Sequence, residues 1–178
     1  MHQSVISFWF NEIEPAQWWK VDAGFDRLIR ERFGDLHERA TRAELFEWRH
    51  DPQGRLAEVI VLDQFSRNIF RGERRAFDSD PLALALAQEA VAAQVDLALP
   101  EAERVFLYMP YMHSESALIH AVAVDLFRER APKSNYDFEL RHKAIIDRFG
   151  RYPHRNAILG RVSTPEESAF LREPGSSF

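Results

Sequence analysis

Apolar side chains recur along this chain at the three- to four-residue spacing of one helix face. The clearest set is Phe25, Leu28, Ile29 and Phe33. Gly34 follows directly and should interrupt that helix or let a second short one follow. No stretch shows convincingly the apolar and polar alternation of a half-buried strand. The pattern therefore predicts an all-α protein of about eight helices.

Proline, glycine and short polar residues mark where several of these helices should begin and end. Asp80-Pro81 predicts a helix start, with Asp80 as the N-cap and proline at the first helical position. Pro110 should end or kink its helix, because it has no backbone N–H to donate. Gly150 stands where a C-terminal cap glycine belongs. Thr164-Pro165-Glu166-Glu167 has the pattern of a capping box.

The length of the chain, 178 residues, predicts one domain spanning residues 1–178, since no long linker or low-complexity tract divides it. A shift of 34 residues places the Ala- and Leu-rich stretch 84–91 over residues 118–125. That period is the one found in tetratricopeptide repeats. Antiparallel helix pairs, stacked in a tetratricopeptide-like arrangement, are the most economical architecture for such a chain.

Composition argues against several classes of function. The sequence has no cysteine, which excludes disulfides and thiolate chemistry. Its net charge of −5 argues against the broad basic face that nucleic-acid binding needs. No apolar run approaches the roughly 18 residues that span a bilayer, and the N-terminus lacks the cationic start of a signal peptide. We therefore expect a cytoplasmic protein that binds neither nucleic acid nor a membrane.

No sequence motif for a cofactor or a metal is present. The chain has no His-Glu-x-x-His, no glycine-rich phosphate loop, no Gly-x-Ser-x-Gly and no Gly-x-Gly-x-x-Gly. Two Glu-x-x-His pairs occur, Glu47/His50 and Glu139/His142, and two such pairs can hold a di-iron centre in a helical bundle. The first pair runs into Asp51-Pro52 at a helix terminus, so we expect neither a metal nor a cofactor.

A basic segment, Arg148–Asn156, is the most unusual local feature of the chain. It holds three arginines, a histidine and an asparagine without an acid, in a protein of net charge −5. A glycine and a proline inside it let the backbone turn, so that Arg151, Arg155 and Asn156 could gather around a small anion. The alternative interpretation is that these arginines pair with acidic residues of the chain.

A second group of polar residues lies at the edge of a predicted apolar helix face. Asp63 and Arg67 are i, i+4 neighbours, and a polar network beside a core must be satisfied internally or it costs stability. We interpret Asp63 and Gln64 as a structural clamp. Arg67 either closes that clamp or, together with Asn68 and Arg71, forms one wall of a ligand site.

His113 and Glu115 lie at a predicted turn between two helices, where functional side chains often gather. His113 could act as a general acid or base, and so could His154 of the basic segment, with Glu115 as an orienting group. The alternative is that Ser114 and Glu115 cap the following helix and that His113 packs against Tyr111.

Several motifs, in this order and spacing, resemble those of an uncharacterised bacterial family, domain of unknown function 924. The segments that carry the resemblance are Phe8-Trp9-Phe10, Leu62–Asn68, Phe70-Arg71-Gly72, Phe106–Pro110, His113-Ser114-Glu115, Arg148–Asn156, Leu159-Gly160-Arg161 and Ser163–Glu167. The resemblance implies a tetratricopeptide-like all-α fold over nearly the whole chain. It implies no activity, because none is established for the family.

These residues support two functional hypotheses. The one that we prefer is a binding module whose polar groove holds a small anionic ligand or an acidic peptide. The other is a small enzyme in which His113 or His154 acts as general acid or base on an anionic substrate. A third interpretation is that the polar clusters only lock helices together. The oligomeric state has no signature in the sequence.

Overall fold

The computed structural model describes residues 2–176, and within that range the protein is helical throughout, with no strand. The prediction of an all-α fold is confirmed. Its α-helices are α1 (His2–Ser7), α2 (Ala23–Thr41), α3 (Pro52–Ile60), α4 (Ser66–Ile69), α5 (Asp80–Ala92), α6 (Glu101–Met112), α7 (Ala117–Arg130), α8 (Lys133–Phe149) and α9 (Pro165–Phe170).

Short irregular helical turns fill most of the space between these helices. A π-helical turn, Phe8–Glu12, extends α1, and a second one, Val61–Phe65, joins α3 to α4 in one continuous rod. The 3-10 turns are Pro15–Trp19, Phe46–His50, Arg74–Ala76, Val95–Ala98 and Pro153–Arg155. The wider π turn at Val61–Phe65 carries polar residues at the edge of the core, and such turns often occur at functional sites.

The longer helices pack in a repeating order. α3 contacts α5 and α6, α5 contacts α6, α6 contacts α7 and α8, and α7 contacts α8. Two helices of this series, α3 and α6, thus each contact the next long helix and the one after it, which is how stacked helix pairs pack. Tetratricopeptide-like stacking stays a prediction, as does the single domain, and this order of contacts favours both.

The main hydrophobic core is rich in aromatic side chains. The ring of Trp9 lies edge-on to Phe65 at 5.5 Å and to Phe106 at 5.8 Å between centroids, and all three side chains are buried. Edge-to-face contacts of this kind add stability beyond the area that the rings bury. They fix the π turn that contains Phe65 against the π turn Phe8–Glu12 and against α6.

A smaller hydrophobic cluster lies near the C-terminus. It consists of Ile145, Ile146 and Tyr152, with Phe149 and Phe170 packed against it. Gly150 ends α8 with a φ of 68°, as the sequence predicted for a C-terminal cap. The predicted capping box of α9 is also present, since the side chains and backbone amides of Thr164 and Glu167 bond reciprocally.

The predicted interruption at Gly34 and the predicted helix end at Pro110 are wrong, whereas a kink at Pro110 stays a prediction. α2 continues through Gly34, because the penalty of about 1 kcal/mol for an internal glycine is small beside the burial of Ile29 and Phe33 on the same helix. α6 continues through Pro110 to Met112. The proline removes one backbone hydrogen bond, and the burial of Tyr111 and Met112 in the last turn of the helix offsets that loss.

The start of α5 also differs from the prediction. Ser79 is its N-cap residue, and Asp80 is the first residue inside the helix. The carboxylate of Asp80 does not cap the helix, because it binds the guanidinium groups of Arg67 and Arg155. Pairing with two cations outweighs the modest stability that an N-cap supplies.

Gly54 allows α3 to pack closely against the turn that precedes it. A Cβ added at Gly54 would lie 2.1 Å from the carbonyl oxygen of Trp48. We expect Gly54→Ala to lower the free energy of unfolding by about 1–3 kcal/mol, because the backbone must move apart. Urea denaturation measures this change.

Gly34→Ala is the matched control. Apart from the backbone of its own helix, no described atom lies within 4 Å of the added Cβ. Alanine at this position should therefore raise the free energy of unfolding by about 0.5–1 kcal/mol. Equal effects of the two substitutions would contradict the close approach at Gly54.

Candidate functional site

Segments that are distant in the sequence meet beside the C-terminal end of α6. Side chains come from the π turn Val61–Phe65 and from α4, from the first turn of α5, from the residue that follows α6 and from the turn Pro153–Arg155. We call this group the polar junction, and it consists of Asp63, Arg67, Asp80, His113 and Arg155. Arg155 and Asp80, which are bonded to each other, are 75 residues apart in the sequence, so only the fold brings these groups together.

Asp63 lies at the centre of the polar junction, with a side chain that is only 1% exposed. Its Oδ1 lies 2.8 Å from Nδ1 of His113 and 3.1 Å from Nη1 of Arg67, and its Oδ2 accepts a 2.6 Å bond from Gln64. Burial by itself would raise the pKa of Asp63. The charge of Arg67, together with the hydrogen bonds from His113 and Gln64, outweighs burial and holds that pKa well below its ordinary value.

His113 is oriented by this carboxylate. Because ionised Asp63 can only accept hydrogen bonds, Nδ1 of His113 carries the hydrogen and Nε2 keeps its lone pair. The side chain is 17% exposed. Burial, followed by the charge of Arg67, lowers the pKa of His113 despite the opposing effect of Asp63. The imidazole is therefore neutral at pH 7, and the lone pair of Nε2 can accept a hydrogen bond.

Asp80 is shared by two guanidinium groups. Arg67 binds it through both terminal nitrogens at 2.9 and 3.0 Å, whereas Arg155 reaches Oδ2 only at 3.3 Å. A two-nitrogen contact is the stronger geometry for an arginine and a carboxylate. The negative charge of Asp80 therefore balances the charge of Arg67 more than that of Arg155.

Arg155 is the least compensated charge in the polar junction. Its side chain is 7% exposed, and Nη2 donates to the carbonyl oxygen of His113 at 3.0 Å. Its buried Nε has no hydrogen-bond acceptor among residues 2–176. Burial, followed by repulsion from Arg67, lowers the pKa of this guanidinium. Arg155 thus has an N–H group without an acceptor among the described residues, and a positive charge that Asp80 balances only in part.

Glu115 anchors the C-terminal part of the chain next to the polar junction. Its carboxylate binds Arg161 through two bonds, of 2.6 and 2.9 Å, and accepts a bond of 2.7 Å from the backbone N–H of Tyr152. Burial raises the pKa of Glu115, but the bonds from Arg161 and Tyr152 outweigh burial and lower it. The residue is thus an ionised structural group in this structure, and its candidate catalytic role stays a prediction.

Two predicted ligand-binding residues of the basic segment lie within the same anchoring network. Arg151 binds Glu167 at 2.6 and 2.8 Å and the carbonyl oxygen of Val162 at 3.0 Å. Asn156 bonds to Ser163 and accepts from Arg161. These contacts match the alternative interpretation, in which the basic segment pairs with acids of the chain.

Two other predicted ligand-binding residues are not part of the polar junction. Asn68 donates to Asp26 of α2 at 2.8 Å, and Arg71 binds the same carboxylate at 2.6 and 2.8 Å. Both side chains therefore fasten the end of α4 to α2. The fold separates them from Arg67, although they are close to it in the sequence.

A group of histidines surrounds the buried ring of Tyr152. Its centroid lies 6.3 Å from His120, 5.8 Å from His142 and 5.5 Å from His154. His120 also lies 2.7 Å from the carboxylate of Glu139, whose pKa is raised by burial. Burial lowers the pKa of His142 to about 3 and that of His154 to about 4. Both rings are therefore neutral near pH 7.

The sequence did not indicate every residue of this region. Asp80 was predicted only to start a helix, and no role was predicted for the buried residues Tyr152 and His120. The only signal for Asp80 was its position at a helix start, where an acidic side chain need not cap the helix. Tyr152 stood inside the basic segment, between two arginines, but its burial depends on α6 and α8.

Two surface recesses lie outside the polar junction. One, of about 360 Å³, is lined by Arg148, Phe149, Arg151, Thr164, Glu166 and Glu167. The other, of about 300 Å³, lies between α2 and the start of α5. Within residues 2–176, no group of three or more His, Asp or Glu side chains has an arrangement that could hold a metal ion. Across the same residues, no helix is long and apolar enough to cross a membrane.

Comparisons with known proteins agree with this all-helical description. The model of a family described as "Bacterial protein of unknown function (DUF924)" matches residues 5–175. A solved structure of a protein of unknown function from Agrobacterium tumefaciens is 38% identical in sequence. It superposes with a TM-score of 0.91 over 96% of each chain. None of the curated proteins matches the chain.

The buried histidines should make the protein less stable in acid. In the unfolded chain a histidine has a pKa of about 6.5, whereas in the folded protein the pKa values of His142 and His154 are about 3 and about 4. As the pH falls below about 6.5, the unfolded state binds protons that the folded state does not, so the free energy of unfolding falls.

His142→Asn tests this linkage while keeping a donor for the carbonyl oxygen of Phe138. Losing one such group should reduce the dependence of the free energy of unfolding on pH by up to about 1.4 kcal/mol per pH unit. Urea denaturation at about pH 7, 6 and 5 measures the slope. His50→Asn, at an exposed position, is the control and should leave it unchanged. An unaltered slope in His142→Asn would contradict a buried neutral imidazole.

Proposed function

The chain belongs to the DUF924 family of bacterial proteins of unknown function, and we propose that its polar junction binds a small anionic ligand through Arg155. The same proposal holds that the protein works in the cytoplasm, with neither nucleic acid nor a membrane as its partner. The observation that carries it is the incomplete pairing of one buried guanidinium.

Burial of an arginine is costly unless its charge and its N–H groups are satisfied. Arg155 shares the carboxylate of Asp80 with Arg67 and holds the longer of the contacts, at 3.3 Å. Its Nε has no acceptor among the described residues. A carboxylate or phosphate oxygen at Nε would supply both the missing acceptor and the missing charge.

The geometry favours a small ligand over an acidic peptide. Arg155 is 7% exposed, which leaves no open groove for an extended chain. The aromatic ring of Phe77 covers the guanidinium at 4.6 Å and is itself only partly buried.

Thermal melts against separate solutions of inorganic phosphate, sulfate, acetate and succinate test the proposal. A ligand at about 100 times its Kd stabilises the folded state by roughly 2.7 kcal/mol. At this chain length each kcal/mol raises the midpoint by about 2–4 °C. We expect at least one of these anions to raise the midpoint by several degrees.

Arg155→Lys is the informative variant, because it keeps the charge but removes Nε and the planar fork. It should lose most of the anion-dependent shift. Arg128→Lys is the matched control, since Arg128 lies exposed on α7 with a surface acid as its partner, and it should keep the full shift. Equal shifts in both variants, or no shift of the wild-type protein with any anion, would overturn the proposal.

A second candidate function rests on the bond between Asp63 and His113. A fully buried carboxylate that holds a neutral imidazole at 2.8 Å is the arrangement of a general base with its orienting group. His113 would then act on a substrate whose anionic group is held by Arg155. The ring of His154, the other candidate, lies 5.5 Å from that of Tyr152 between centroids, and burial lowers its pKa to about 4.

The substitution His113→Gln separates the two functions. If the protein is an enzyme, the variant should lose turnover of phosphate and carboxylate esters while keeping the anion-dependent shift of the melting midpoint. A loss of about 100-fold or more in rate is typical for removal of a general base. Absence of turnover by the wild-type protein across both ester classes would leave the binding function alone.

A further inference from the structure

A recess of about 300 Å³ separates α2 from the segment that leads into α5. We call it the α2–α5 recess. The side chains that matter for its chemistry are His37, Phe70, Arg75, Ser79 and Leu82. The volume of the recess lies at the lower end of the range for small-molecule sites. Its lining also mixes apolar and polar groups, as the lining of such sites does. None of these residues belongs to the polar junction.

Arg75 supplies a positive charge to this recess. Its guanidinium carbon lies 3.9 Å from the ring centroid of Phe70, which holds the group in place by a cation–π contact. The two ion pairs nearest to the recess, Arg42–Glu38 and Arg74–Asp78, form without Arg75. Among residues 2–176, Arg75 has no carboxylate within ion-pair distance.

Two acids also line the recess, but each has a different arginine nearby. Glu38 lies 4.0 Å from Arg42, and Asp78 lies 4.0 Å from Arg74. Arg75 and both acids are exposed, so water screens all three charges. Each acid has an arginine other than Arg75 as its ion-pair partner, so no carboxylate of the described residues is paired with Arg75.

His37 provides a hydrogen-bond acceptor at the wall of the recess. It is 4% exposed, and its Nε2 lies 2.7 Å from Oγ of Ser66. The hydroxyl of Ser66 already donates to the carbonyl oxygen of Leu62 at 2.6 Å. Nε2 of His37 must therefore be the donor in their contact, and Nδ1 keeps a lone pair. Among the described residues, none donates to that nitrogen.

Ser79 adds a hydroxyl to the lining of the recess. The residue is 8% exposed and is the N-cap of α5, but its side chain makes no capping hydrogen bond. A hydroxyl can both donate to and accept from a ligand. Phe70 and Leu82 complete the lining with apolar surface.

We propose that the α2–α5 recess is a second binding site, whose ligand is a small hydroxy monocarboxylate with an apolar body. Arg75 and the hydroxyl of Ser79 bind the carboxylate. The hydroxyl of the ligand donates to Nδ1 of His37, and its apolar part packs on Phe70 and Leu82. A multiply charged phosphate ester fits less well, because Glu38 and Asp78 border the same space.

Mandelate is a probe with these features, and isothermal titration calorimetry of the full chain measures its Kd. Phenylacetate lacks the hydroxyl and mandelamide lacks the charge. We expect mandelate to bind, and each analogue to bind about 10- to 100-fold more weakly, the effect of losing one charge-assisted or buried hydrogen bond.

Arg75→Gln should weaken mandelate binding to a similar degree. Arg128→Gln is its control, because Arg128 lies exposed on α7 and does not line the recess, and it should retain the wild-type Kd. Arg155→Lys should also retain it, which separates this site from the polar junction. No binding of mandelate at millimolar concentration, or an unchanged Kd in Arg75→Gln, would overturn the proposal.

Discussion

The buried carboxylate of Asp63 is the charge on which the arrangement of the polar junction depends. An ionised group that is 1% exposed costs several kcal/mol in lost hydration unless cations and donors surround it. Arg67 and His113 meet that need from α4 and from the end of α6. Arg67 in turn binds Asp80, and Asp80 attracts Arg155. Through this succession one buried charge fixes α4, α5, α6 and the C-terminal turn relative to one another.

Helices and their ends could be predicted wherever the signal is local. A left-handed residue after a helix needs glycine, so Gly150 could be placed, and the reciprocal bonds of Thr164 and Glu167 need residues at a fixed spacing. The contact between Asp63 and Arg67 belongs to the same class, because i, i+4 neighbours meet on any helix. These features follow from one turn of backbone and require no knowledge of the fold.

Partners that come from distant helices could not be predicted. Asn68 and Arg71 look like ligand-binding residues in the sequence, yet both bind Asp26, which is 42 and 45 residues away. The basic segment contains no acid, but α9 brings Glu167 against Arg151. Charge runs in a sequence show only one half of each ion pair. Helix packing decides which cations remain available to a ligand. Arg155 differs from the other arginines only for that reason.

The larger hydrophobic cluster contributes more to the stability of the protein than the smaller one does. The chain after Gly150 contributes Tyr152 and Phe170 to the smaller cluster and is otherwise held to the rest by polar contacts, such as those between Arg161 and Glu115 and between Arg155 and Asp80. Ion pairs weaken as ionic strength rises, although buried pairs do so less, whereas the aromatic core does not weaken. We therefore expect the C-terminal segment to open at a lower free energy than the main core. Its detachment would remove Arg155 from the polar junction while the main core stayed folded, so the site can be lost without loss of the fold.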